Sequence, residues 1–201
     1  MTGARRIGLA IVAAWLLAVP AAAAEEESNS VAGQLLVATE KMPDPRFAET
    51  VIYMVGHDAE GAMGVVLNLA LETMPVADIL RGFGEDPSGA SGARRILAGG
   101  PVFPDRGFVL HSADYATEGT IAVDGDLAFT PGIRPLRDTV GGTGPAQALV
   151  FLGISSWGPG QLEGELLRAG WAVVPADAEI VFDDDLDGKW RLALSRRGID
   201  L

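Results

Sequence analysis

Residues 148–174 read ALVFLGISSWGPGQLEGELLRAGWAVV, and the rest of the chain is read outward from them. The first six residues are an unbroken apolar run, the pattern of a central strand buried on both faces. Glycines then end the strand, and a helix is predicted from Pro159, whose missing N–H costs nothing at a first helical position. Leu162 and Leu166 fall on one face of that helix, Glu163 stands near its positive end, and Gly170 stops it. Residues 171–174 (WAVV) return as a strand.

Upstream, residues 34–39 (QLLVAT) form a first strand that Pro43 and Pro45 end. Residues 50–55 (TVIYMV) and 62–67 (AMGVVL) flank the turn-like HDAEG and are predicted to pair as a hairpin. A short helix follows over residues 75–81, with Val76, Ile79 and Leu80 at helical spacing and Gly82 beyond them. Residues 96–98 and 107–111 are strand-like on either side of GGPVFPDR. Residues 120–123 and 127–130 flank Asp124 and Gly125, a pair that predicts a type I′ hairpin turn. Downstream, residues 179–182 read as one more strand. A final helix after Asp187 aligns Trp190, Ala193 and Leu194, with Arg196, Arg197 and Gly198 at its end. Roughly eight strands against about four short helices predict an α+β domain on an antiparallel or mixed sheet.

The chain has 201 residues with 15 basic and 27 acidic side chains, a formal charge of −12, and 48% apolar residues, which excludes a disordered tail and a basic nucleic-acid binder. It has no cysteine, so disulfides, thiolate nucleophiles and Cys-ligated metals are excluded as well. Residues 1–24 have the pattern of a signal peptide: Arg5 and Arg6, an uncharged run to Val19, then Pro20 and four alanines ahead of Glu25. The apolar run rises only about 20 Å as a helix against a hydrocarbon core of about 30 Å, which favours cleavage over anchoring. Removing the leader and its two arginines deepens the charge from −12 to −14. Residues 25–32 then form a polar lead-in and residues 33–201 a single domain. The leader implies a periplasmic or secreted protein; a start codon placed too far upstream would return it to the cytoplasm.

The segments GQLLVAT, DPRFAETVIYMVGHDAEGAMGVVLN, LAGGPV, RGFVLHS, LGISSWGPGQLEGEL, GWAVVPADAEIVF and KWRLALSRRGID follow one another from Gly33 nearly to the C-terminus. Together they resemble the YqgE/AlgH family. The resemblance implies a sheet curled into a barrel-like shape with a few short flanking helices, in bacterial proteins without an established reaction, some labelled transcriptional regulators through alginate production. The chain departs from the pattern at Leu69 and Ala70, where the family usually has a basic residue and Pro, and in carrying a leader, which members usually lack.

The two histidines, His57 and His111, each end a strand with Asp58 or Asp114 nearby. A His-carboxylate base or a two-His metal site is conceivable there, against the plainer reading of strand-end hydrogen bonding. Ser155 and Ser156 lie in GISSWGPG, which lacks the G-x-S-x-G elbow of a serine nucleophile. SSWGPGQLE resembles an anion cradle at a helix start, but Glu163 and Glu165 oppose an anion there, and capping of the helix by Ser156 or Gly158 is preferred. Asp183, Asp185, Asp187 and Gly188 match the opening of a calcium loop, yet Leu194 stands where a bidentate Glu belongs, so an acidic helix cap is preferred. Arg94, Arg95 and Arg106 make too small a basic spot to outweigh 27 acids.

The favoured expectation is a non-catalytic binding or regulatory domain that contacts a protein or small ligand through GGPVFPDRG and SSWGPGQ. Arg106, His111, Trp157 and Gln161 are its candidate ligand contacts. The alternative is a metal-dependent or His-carboxylate hydrolase using His57 or His111. No cofactor, direct nucleic-acid binding or membrane span after cleavage is expected.

Overall fold

The chain is described here from a computed structural model, which covers residues 30–197. The predicted leader, most of the lead-in and Gly198 lie outside the described residues. In chain order the elements are β1 (Gln34–Ala38), β2 (Val51–Asp58), β3 (Gly61–Val66), β4 (Ala70–Pro75), α1 (Val76–Gly82), β5 (Ala93–Ala98) and β6 (Val102–Ser112). There follow β7 (Ile121–Ala122), β8 (Leu127–Pro131), α2 (Arg134–Val140), β9 (Ala148–Trp157), α3 (Gln161–Leu167), β10 (Trp171–Pro175), α4 (Ala178–Phe182) and α5 (Leu186–Ser195). None of the described helices is long and apolar enough to cross a membrane.

All ten strands join one strongly curled sheet of order β10-β1-β2-β3-β9-β6-β8-β7, with the β4–β5 pair branching from β9. The sheet is mixed: β5 runs parallel to β9, with Ile96 opposite Val150, and the other ladders are antiparallel. The apolar run that opens β9 is therefore flanked by β5 and β6, while its far end pairs with β3, where Trp157 faces Ala62. Alternation in β1 and β2 explains why those strands read as continuously apolar. Leu35, Val37, Tyr53 and Val55 pack into one core, and Leu36, Ala38, Ile52 and Met54 into another on the opposite face. Both layers are excluded from water.

Close backbone crossing at the centre of the sheet dictates two glycines. A Cβ on Gly99 would lie 2.2 Å from the Gly153 carbonyl oxygen, and one on Gly153, at φ +72°, 2.3 Å from that of Gly100. Only glycine fits this contact and this dihedral together.

Three expectations are corrected. Residues 179–182 belong to α4, not a strand: the Asp177 side chain accepts from the Ile180 N–H at 2.8 Å, and this N-cap outweighs the β-branched composition. The loop between β7 and β8 is not a type I′ turn, because neither Asp124 nor Gly125 has positive φ. The Asp124 carboxylate instead accepts from the N–H groups of Asp126 and Leu127 and from the Tyr53 hydroxyl, folding the loop around a side chain. Helix α3 starts at Gln161, and its N-cap is Gly160 at φ +71° with no side-chain cap, so neither Ser156 nor Gly158 holds that place. Strand β4 and helix α2 were not anticipated, since β4 is almost wholly exposed and α2 is a seven-residue helix that buries only Pro135 and Leu136, so neither carries an apolar period.

Candidate functional site

The end of β9, helix α3 and the start of β10 enclose a cavity of about 240 Å3, closed on its remaining side by the loop after β1. That loop is held in shape by Asp44, which caps a 3-10 turn over Pro45–Phe47 and pairs with Arg46 at 2.6 Å. Trp157 and Trp171 form the apolar wall, edge to face with centroids 6.3 Å apart, and Phe47 packs edge-on to Trp171 at 5.8 Å. Pro101 and Met42 complete the apolar lining.

One carboxylate organises this wall. Glu165 Oε2 accepts from the indole N–H groups of both Trp171, at 2.8 Å, and Trp157, at 2.9 Å. Its Oε1 accepts from the Gln161 amide at 3.0 Å, and the Gln161 carbonyl oxygen in turn accepts from the Gly158 N–H. Burial pushes the Glu165 carboxyl up, but the Trp171, Trp157 and Gln161 donors and the Arg168 charge outweigh it, so it lies below the ordinary glutamate range. The site thus holds a fixed, ionised acceptor whose geometry is set by three donors. Ser155, 1% exposed, donates its hydroxyl to the Gly99 carbonyl, whereas Ser156 beside it is exposed.

Of the four candidate ligand contacts, Trp157 and Gln161 come together on this cavity. Arg106 lies on the exposed part of β6, stacked over Phe103 at 4.6 Å, and His111 is fully buried. His111 Nδ1 donates to the Ser112 carbonyl at 3.0 Å, and its Nε2 is hydrogen-bonded to the Thr130 hydroxyl at 2.8 Å. His57 Nδ1 accepts from the Val31 N–H, so Nε2–H donates to Glu163 at 3.0 Å. Through β3 and β6 the two imidazoles neighbour opposite ends of the ten-residue β9. Asp185 is the N-cap of α5, accepting from the Gly188 N–H, and Asp183 accepts from the Asp185 N–H, so the acidic run serves the helix start. Sequence reading missed Glu165, Trp171 and the residues 42–47 loop as partners of Trp157. Glu165 and Trp171 stand in the quoted stretch, but only the return of β10 beside β1 brings the three segments together.

Comparison with known proteins follows the same extent of chain. The model of AlgH-like proteins matches residues 35–201. A UPF0301 protein of Rhodospirillum rubrum is 43% identical over 176 residues, which is 88% of this chain and 92% of its own. A UPF0301 protein of Methylococcus capsulatus is 41% identical over 176 residues, 88% of this chain and 96% of its own. The solution structure of the AlgH protein from Pseudomonas aeruginosa is similar at TM-score 0.72 and 36% identity, over 86% of this chain and 91% of that one. A crystal structure of a Corynebacterium diphtheriae protein, at 19% identity and TM-score 0.65 over 84% and 87% of the two chains, shares the fold.

Proposed function

The chain belongs to the AlgH-like family, and on that premise we propose that it is a non-catalytic binding domain, with a regulatory role exerted through a ligand held in the Trp157–Trp171 cavity. The observation that carries this reading is the state of Glu165. An ionised carboxylate fixed by three donors has no proton to give, and only one acceptor position, on Oε1, stays open. It is suited to holding indole walls in place around a guest. Both histidines are engaged in hydrogen bonds elsewhere, so a hydrolytic reading gains no support from their positions.

The test is a small-molecule library screened by thermal shift and tryptophan emission against the wild type and Pro101→Phe, which places a bulky group at an exposed lining position. Saturable ligands that stabilise the wild type and lose their effect in the variant are expected. Equal shifts in both proteins, or no ligand at all, would count against the cavity as the site. The export expectation is part of this proposal, and sequencing the N-terminus of protein from a periplasmic fraction tests it: a start at Glu25 is expected.

A further inference from the structure

The cavity lining carries four charges, Asp44, Arg46, Glu165 and Arg168, and they are not equally engaged. Asp44 and Arg46 satisfy each other through two-pronged contacts of 2.6–3.2 Å. Glu165 is bonded to indoles and an amide, and Arg168 enters no ion pair among the described residues, although its charge reaches Glu165. The two are three residues apart at the end of α3, a spacing that puts their side chains on one face about 5–6 Å apart at Cβ. A negative and a positive group therefore line one cavity without closing on each other.

Their remaining capacity is complementary. Glu165 Oε1 has one partner where a carboxylate oxygen accepts two, and the buried Ser155 hydroxyl donates to Gly99 but keeps its acceptor lone pairs. Both can take N–H donors. The Arg168 guanidinium can donate, and Arg168 is exposed on the same cavity. The same cavity is lined by Trp157, Trp171, Phe47 and Met42, an apolar wall.

Building on the proposed binding role, we infer that the guest is a zwitterion of amino-acid size. Its ammonium faces Glu165 and Ser155, its carboxylate faces Arg168, and its apolar side chain lies against the indoles. A single-charge guest would leave one of the two poles unmatched inside a partly dehydrated cavity, which costs affinity.

Calorimetry and tryptophan emission on the full chain test this with L-leucine, L-methionine and L-phenylalanine, each beside its decarboxylated amine and its deaminated acid. At least one amino acid is expected to bind about tenfold or more tighter than its amine and its acid. Arg168→Gln, at an exposed position and so spared from unfolding, is expected to bring that amino acid down to its amine. An amine or acid that binds as well as its amino acid, or unchanged discrimination in Arg168→Gln, overturns the zwitterion assignment. If all nine compounds fail while the library screen finds a guest blocked by Pro101→Phe, this inference falls and the binding role stands; if both fail, both fall.

Discussion

A half-buried carboxylate, Glu165, and a buried ammonium, Lys189, do structural work usually given to apolar packing. Replacing Glu165 by Leu leaves the Trp157 and Trp171 N–H groups without an acceptor in a site closed to most water. The expected loss is about 3 kcal/mol in urea unfolding, because stranded buried donors cost their full desolvation. Since the folded carboxyl lies below its ordinary range, its contribution is complete above the unfolded glutamate pKa. It fades as pH falls through the folded value, so the gap between wild type and Glu165→Leu is expected to narrow in acid. Lys189 behaves in the opposite sense. It is 1% exposed and donates to the Ile180, Val181 and Asp183 carbonyls at 2.5–3.1 Å, tying off the end of α4. Burial pushes its ammonium down to about 8, against the pull of Asp183, Asp184 and Asp185. An unfolded lysine keeps its proton to about 10.4, so between these values the unfolded chain binds more protons and stability rises with pH. Unfolding of wild type and Lys189→Met, followed from neutral pH to about pH 10, is expected to move in the wild type's favour across that window.

At the scale of the elements, backbone fit outranks composition. Gly153→Ala would drive a methyl group into the Gly100 carbonyl and demand a left-handed dihedral of a residue with a side chain. A loss of at least about 3 kcal/mol, or failure to fold, is expected on a thermal melt. Asp177→Ala removes the cap of α4 and should cost about 1 kcal/mol. The same contrast explains what was legible in the sequence. The runs at β1, β2, β3 and β9, and the helices around Ile79, Leu162 and Trp190, announce themselves by period. Residues 179–182 mislead because Val, Ile and Phe suggest a strand, while the decisive carboxylate of Asp177 sits outside the segment. Asp124-Gly125 misleads because the dipeptide does not disclose the Tyr53 hydroxyl that arrives from 71 residues away. Of the four residues named from the sequence as ligand contacts, Trp157 and Gln161 line the cavity and Arg106 and His111 do not; Glu165 was weighed only as a charge near a helix start, since its indole partners meet it through tertiary packing.

Taken as a whole molecule, a net charge of −12 opposes polyanions. A gel shift with duplex DNA at low salt is expected to show no complex, and a salt-sensitive band would contradict this. One further consequence belongs to β9, the strand that holds β3, β5 and β6 in register. Because it lies late in the chain, a polypeptide emerging N-terminus first, from ribosome or export channel, can close its first hairpins early but cannot knit them into one body until Trp157 has emerged. Up to that moment β5 and β6 expose apolar edges with nothing to cover them, and this is the interval in which a chaperone would find the most to hold.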